Sequence, residues 1–355
     1  MRAKVILLSC SLLFSLLLGE FIVRIFDLPP ALIALNTRHK NSGYQISPNP
    51  ILGYELKCNY RNANPSLHWG DFPLTNSHGQ RDIERTLEKP AGVFRIILLG
   101  DSIVAGHGIR DLHHTISREL EQLIQQQESN VEVLNFGVGG YQTLAEIELF
   151  RTKGLRYSPN LVILVFESND FNIENDDMWL NMETSKPVYL LLKKSQLFRF
   201  IAVRMNWFSL GDFQRRTISN RTLLDDSVEQ GISKLKALSL EYNFDLMVVI
   251  WPRFSNIKKH VNGIYDFYPQ GPYINNLMEI ESICKKYNID SYRLVSFFIE
   301  DYNNVLSKAP NGVSPVLNTT YTIGDTCHPN EYGSRVAARG LKKILDERLK
   351  GVFSG

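Results

Sequence analysis

Four short strings in the 355-residue chain hold groups that could act on an acyl carbon. They are Gly100-Asp101-Ser102, the glycine-rich Asn135-Phe136-Gly137-Val138-Gly139-Gly140, Glu167-Ser168-Asn169-Asp170, and Asp325-Thr326-Cys327-His328-Pro329-Asn330. A serine hydroxyl is a weak nucleophile until a base accepts its proton. His328 can be that base for Ser102, because imidazole titrates near neutral pH. Asp325, three residues earlier, can orient the ring and favour the imidazolium as it forms. A tetrahedral oxyanion needs donors already in place. The backbone N–H of Ser102, the backbone N–H of Gly140 and the side-chain NH2 of Asn169 could supply three.

Each group also has a plainer reading. Ser102 could cap a helix, the glycines could form only a tight turn, and Asn169 could bond its own backbone in a loop. His328 could be a capping or surface histidine, and a carbonyl could take the place of Asp325. Gly139 is an alternative donor to Gly140. His107 is a rival base, because it follows Ser102 closely. With His113, His114 and Asp111 it shows no metal-ligand spacing, so neither a metal nor a cofactor is expected. The G-x-S-x-G elbow is absent because Val104 stands where its second glycine would be. HExxH, a phosphate loop and a complete GxGxxG are absent too.

The elements that must position these groups alternate along the chain. Phe94–Leu99, Val131–Phe136, Leu161–Phe166 and Asp245–Trp251 are short apolar runs that suit strands buried on both faces. Helical spacing marks Thr115–Gln127, Tyr141–Lys153, Ile274–Lys286 and Glu331–Lys350. Such alternation predicts a mostly parallel sheet covered on both sides. Ligands of such sheets collect beyond the carboxyl ends of the strands. Three of the four strings follow a predicted strand, and the fourth precedes the last helix, so all would converge on one edge.

Composition is that of an ordinary globular chain, with 44% hydrophobic and 21% charged residues and a formal charge of +2. Nothing there suggests nucleic acid, which needs a clustered basic face. The four cysteines, Cys10, Cys58, Cys284 and Cys327, form no CxxC pair. A Cys58–Cys284 or Cys284–Cys327 disulfide stays open. Residues 1–4 are a short basic tail, and 5–26 are apolar enough to cross a bilayer as a helix. Glu20 and Arg24 fall near its end, within reach of headgroups. An uncleaved signal anchor is preferred to a cleaved signal peptide, because Leu17 spoils the cleavage site. Residues 27–92 read as a linker and loop-rich lead-in, with the main domain over 93–350. A stretch at about 171–224 interrupts the alternation. It contains the basic-apolar segment Leu191–Phe208, read either as a solvated helix or as a lid or membrane-facing helix.

The four strings, in this order, resemble the sequence blocks of the SGNH/GDSL hydrolases. The family's Ser, Gly, Asn and His correspond to Ser102, Gly140, Asn169 and His328. Leu52-Gly53-Tyr54 and Thr75-Asn76-Ser77-His78-Gly79-Gln80-Arg81-Asp82 are similar to the lead-in of its anchored bacterial members. The resemblance covers roughly residues 93–345. It implies a flavodoxin-like three-layer α/β/α sandwich and a Ser-His-Asp triad acting on oxygen esters. One departure is Glu167, where the family commonly has glycine two positions before its Asn. The expected partners are an ester-bearing small molecule, glycan or lipid, and the membrane through the N-terminal helix, with no nucleic acid. An O-acyltransferase, or a noncatalytic carbohydrate-binding or assembly protein, would keep the same fold.

Overall fold

The computed structural model describes residues 2–26, 43–47, 49, 52, 54–65, 72–171, 191, 195–205, 207, 221–259, 265–267, 272–308 and 316–349. The chain opens with helix α1 (Arg2–Ile25), then strands β1 (Tyr44–Ile46) and β2 (Tyr54–Leu56), which pair antiparallel. The main body follows as β3 (Phe94–Gly100), α2 (Ser102–Ala105), α3 (Ile116–Gln125), β4 (Val131–Gly137), α4 (Thr143–Thr152) and β5 (Leu161–Phe166). Next come α5 (Gln196–Arg204), α6 (Arg221–Tyr242), β6 (Asp245–Ile250) and the small antiparallel pair β7 (Ile257–Lys259) and β8 (Tyr265–Phe267). The last elements are α7 (Pro272–Lys286), β9 (Asp290–Arg293), α8 (Val295–Lys308), α9 (Leu317–Tyr321) and α10 (Glu331–Arg348).

Five strands form one parallel sheet in the order β4-β3-β5-β6-β9. Numbered along the chain, that order is 2-1-3-4-5, the flavodoxin-like winding. Successive side chains of a strand point to opposite faces, so each strand feeds two cores. Ile97 and Leu99 of β3 join one core with Leu134, Val162, Leu164 and Val248, covered by α4, α6 and α7. Ile96 and Leu98 join the other with Val133, Ile163 and Val249, covered by α3, α8 and α10. A strand buried on both sides needs a continuous apolar run, and β3, β5 and β6 have one. The result is a three-layer α/β/α sandwich. The polar edge strand β9 has no such run, and the sequence pattern missed it together with α8.

The lead-in is held into this body by buried polar contacts. The Asn76 side-chain oxygen accepts from the N–H groups of His78 and Gln80, which shapes the turn there. Beyond it, Arg81 donates to the carbonyls of Ala105, Gly106 and Ile109. Asp82 accepts from the N–H of Asn135 at 3.1 Å. Arg85 is paired with Glu121 at 2.6 Å and lies near Asp82. Burial draws the Arg81 guanidinium down to about 10 and pushes the Asp82 carboxyl up, against the pull of Arg85.

Among the described residues one helix is long and apolar enough to cross a membrane, Leu7–Ile25, with a mean hydropathy of 1.8. Its leucines are exposed, so it does not serve as a core helix. Cys10, Cys58, Cys284 and Cys327 are all free thiols. Most of the interrupting stretch 171–224 lies outside the described residues.

Arg81 satisfies three backbone carbonyls that no other described side chain reaches. The Gly106 carbonyl keeps a second donor, the Ile109 N–H at 3.1 Å, so Arg81→Ala strips the Ala105 and Ile109 carbonyls, and each such loss costs about 1–3 kcal/mol. The expected outcome is a fall in unfolding free energy of more than about 2 kcal/mol, measured by urea titration beside the wild type.

Candidate active site

The site stands at the carboxyl edge of the sheet, where β3 and β5 meet at the change in winding direction. β3 ends at Gly100, and Ser102 opens the four-residue helix α2. Asp101 caps that helix, its Oδ1 accepting from the N–H of Ile103 at 2.8 Å. Gly106 ends the helix in the left-handed region, at φ 73°, a conformation glycine adopts without steric cost. Asn135 holds α2 from β4, its Nδ2 donating to the Val104 carbonyl at 2.8 Å. The backbones of β4 and α2 also approach closely. A Cβ on Gly137 would lie 2.1 Å from the Ala105 nitrogen, so only glycine fits there.

Ser102 is brought to His328 although 226 positions separate them. Its Oγ lies 2.8 Å from His328 Nε2. On the far side of the ring, His328 Nδ1 lies 2.5 Å from Asp325 Oδ2. The other carboxylate oxygen of Asp325 accepts from the N–H groups of Cys327 and His328, at 3.0 and 2.9 Å. Burial pushes the Asp325 carboxyl up, but these bonds outweigh it, and the group sits below its ordinary value. The loop is fastened to the end of β6. Trp251 Nε1 donates to the Cys327 carbonyl at 2.8 Å, and the Phe254 N–H donates to the Thr326 carbonyl at 3.0 Å. Asn330 then caps α10 by accepting from the Gly333 N–H at 2.8 Å.

His107 does not take the place of His328 beside the serine. Its ring packs on that of His328 with centroids 4.7 Å apart. His114 is turned to Glu119, its Nδ1 2.8 Å from Oε1. Asp325, Cys327 and His328 have ligand atoms within 4.8 Å of one another, a spacing a metal ion could use. Burial holds the Cys327 thiol well above its ordinary range, which disfavours the thiolate that a metal requires.

The groups read from sequence as oxyanion donors are arranged as follows. The N–H groups of Ser102 and Gly140 take no part in the turn and cap hydrogen bonds that engage Ala105, Gly106, Val138 and Tyr141 around them. Gly140 sits at φ 79°. Tyr54 of β2 donates its hydroxyl to the Gly139 carbonyl at 2.7 Å. In a trans peptide the C=O and N–H point in opposite directions, so this bond turns the Gly140 N–H away from Tyr54. Asn169 lies just after β5, its Nδ2 donating to Asp101 Oδ2 at 3.0 Å, which leaves one amide hydrogen for another acceptor. Its backbone N–H donates to Glu167 Oε2 at 2.7 Å. Glu167 therefore does not crowd the serine. It is buried, paired with Arg253 at 2.7 and 3.0 Å, and it holds the turn that carries Asn169.

Sequence reasoning missed Tyr54, Arg81 and Arg253. The first two stand inside strings singled out for their resemblance, Leu52-Gly53-Tyr54 and Thr75 to Asp82, so a signal for them was present. Arg253 follows β6 with no motif around it. Burial pushes the Asp101 carboxyl above its ordinary range, against the N–H of Ile103 and the amide of Asn169. Behind it lie Glu146 and Asp170, both buried, Glu146 with no hydrogen-bond partner on its carboxyl oxygens among the described residues and Asp170 with only weak help from the Thr143 hydroxyl and the Glu167 backbone. Burial first, and then the neighbouring carboxyls, raise both well above the ordinary range, so they are held neutral.

A carboxyl whose folded value is raised binds more protons folded than unfolded, so stability falls as pH rises. For Glu146 that loss begins as pH climbs past its unfolded value, near 4.5, and continues until the folded group ionises. Glu146→Gln removes the titration. Its melting temperature is expected to fall less than that of the wild type between pH 5 and pH 9, read by circular dichroism.

Residues 96–189 match the family described as GDSL-like Lipase/Acylhydrolase. No curated protein matches the sequence. Among solved structures, the acetyl xylan esterase AlAXEase is similar at 16% identity and a TM-score of 0.44, over 71% of this chain and 100% of its own. A two-domain esterase (CEX) active on acetylated mannans is similar at 14% identity and a TM-score of 0.42, over 72% of this chain. The present chain spans about half of that protein's length, 49%. A GDSL-like lipase from Bacteroides thetaiotaomicron VPI-5482 is similar at 15% identity and a TM-score of 0.40, over 74% of this chain and 93% of its own. Residues 96–189, which run from β3 past β5, are thus similar to GDSL-like lipases and acylhydrolases, a family of serine ester hydrolases.

Proposed function

We propose that this protein is a serine esterase that cleaves oxygen esters with Ser102 as nucleophile, His328 as its base and Asp325 as the group that orients the base. The observation that carries the reading is the continuous chain from Ser102 Oγ to His328 Nε2 at 2.8 Å and from His328 Nδ1 to Asp325 Oδ2 at 2.5 Å. Ser102 Oγ attacks the ester carbonyl carbon while its proton passes to His328 Nε2. The carbonyl oxygen becomes an oxyanion and accepts from the N–H of Ser102, the N–H of Gly140 and the free amide hydrogen of Asn169. The tetrahedral species collapses, the C–O bond breaks, and the departing alkoxide takes the proton from His328. Water, deprotonated by His328, then attacks the acyl carbon, the bond to Ser102 Oγ breaks, and His328 returns the proton to Oγ as the acid leaves.

In this reading the anchor α1 is retained and the catalytic domain stands on the extracytoplasmic side, with the four-residue tail inside. Substrates are then esters of the cell envelope, on glycans or lipids. A sugar hydroxyl in place of water would give O-acyl transfer by the same groups. The interrupting stretch near 171–224 belongs to the hydrolase domain that runs over residues 93–350.

The test uses the full chain in detergent with nitrophenyl esters from acetyl to long chain. Ser102→Ala is expected to lower turnover by at least ~10³-fold. Asn169→Ala, which removes one donor, is expected to cost ~10²–10³-fold in kcat. Equal turnover by wild type and Ser102→Ala refutes the nucleophile assignment. Acyl release that appears only when a glycan acceptor is added favours the transferase.

A further inference from the structure

Glu20 is an acid near the end of an otherwise apolar helix, and the structure shows what compensates it. Its carboxylate accepts from the Ser195 hydroxyl at 2.8 Å and from the N–H groups of Gln196 and Leu197, each at 2.9 Å. Arg24, one turn further on, completes the set at 2.7 Å. Glu20 therefore caps the first turn of α5, where free N–H groups and the helix dipole favour an anion. The packing agrees with that cap, because Gly19 is where Leu197 rests. A Cβ there would lie 3.0 Å from the Leu197 side chain.

The depth of Glu20 fixes the depth of α5. The 19 residues Leu7–Ile25 make about 28 Å of helix at 1.5 Å per residue. A hydrocarbon core is about 30 Å thick. Glu20 lies five residues short of Ile25, about 7 Å inside that end. An uncompensated carboxylate there is costly, so the N-terminus of α5 must come to the same level. The exposed side chains near α5 suit such a place. Leu191, Met205 and Trp207 are 49%, 64% and 43% exposed, a large apolar display for one short segment. Trp207 lies against Phe198 with ring centroids 5.9 Å apart, and the exposed Arg204 lies over the Phe200 ring. Indole rings and arginines on apolar stems are the side chains that settle at headgroup level.

We propose that α5, with Met205 and Trp207 beyond its end, is a second membrane contact, an interfacial helix clamped to the anchor by Glu20 and lying at the boundary between lipid headgroups and acyl chains. The domain then rests on the bilayer at a fixed height and does not swing from a tether. The proposal rests on α1 spanning the membrane, and the experiment separates the two.

The full chain, with its four cysteines replaced by serine, is reconstituted into phosphatidylcholine–phosphatidylglycerol vesicles. It carries a nitroxide at one of three single cysteines: Leu13→Cys in the anchor, Met205→Cys, or Leu240→Cys on α6, where the native leucine is 73% exposed. Power saturation compares collisions with lipid-soluble oxygen and with a water-soluble nickel chelate. The expected result is that the label at 205 falls between the other two, with more oxygen and less nickel collision than at 240 but more nickel than at 13, whereas the label at 240 meets nickel freely. Glu20→Ala is expected to raise nickel collisions at 205 and leave position 13 unchanged. A label at 205 that meets nickel as freely as the one at 240, with 13 still in lipid, overturns the contact and leaves the anchor standing. Shielding of 205 from both reagents means a protein covers it, and overturns a lipid contact. Nickel access at 13 overturns the anchor, and the proposal with it.

Discussion

The whole site depends on a helix too short to hold itself. α2 has four residues, and one turn of helix fixes several dihedrals for a single hydrogen bond, so it is unstable alone. Yet Ser102 opens it, and the direction of the Ser102 hydroxyl is set by that turn. The fold supplies the missing stability from every side. Asp101 caps one end, while Gly106 and the Arg81 guanidinium close the other. Asn135 reaches across from β4 to the Val104 carbonyl, and Gly137 lets the two backbones meet. Hydrogen bonds to charged groups contribute about 1.5–3 kcal/mol each, so these polar clamps together outweigh the cost of nucleating one turn.

The sheet was largely legible in the sequence because burial on both faces leaves a plain signature. β5 is an unbroken apolar run, as are β3 beyond Arg95 and β6 beyond Asp245, and the structure begins each strand where the pattern does. β9 escaped because Asp290-Ser291-Tyr292-Arg293 lies at an edge with its side chains half-buried or exposed. Strand formation there comes from pairing with β6, a tertiary contact that local sequence does not encode. The site groups were legible for another reason. Ser102, Gly140, Asn169 and His328 each stand in a string of unusual residues placed where an element ends. Their supports were not, since a tyrosine hydroxyl on Gly139 or an arginine on three carbonyls has no local pattern. Glu167 shows the same limit. Its departure from glycine is plain in the sequence, but only its pairing with Arg253 and its bond to the Asn169 N–H show the carboxylate holding the Asn169 turn.

Electrostatics divides the carboxyl groups near the strand ends into two sets. Asp325 receives N–H and imidazole hydrogens and is half open to water, which favours the charged form. Glu146 and Asp170 are sealed from water, Glu146 with no donor and Asp170 with only the Thr143 hydroxyl and a backbone N–H near it, and burial favours their neutral forms. Asp101 falls between them, buried but bonded to Ile103 and Asn169. A buried cluster with every carboxyl ionised would place several like charges close to Ser102. Keeping its deeper members protonated limits negative charge in a region of low dielectric, where each charge counts for more.

Asp325 and His328 lie three residues apart on one loop, whereas Ser102 is 226 positions away. The acid and the base meet by local geometry alone, through a loop that Trp251 and Phe254 tie to the sheet. That loop is followed by α10, whose buried face packs on α3. During synthesis Ser102 emerges first, and His328 emerges only after all five strands of the described sheet have been made. With the roles proposed above, a growing chain carries an unpaired Ser102 until the loop that bears His328 has been made and α10 has docked on α3.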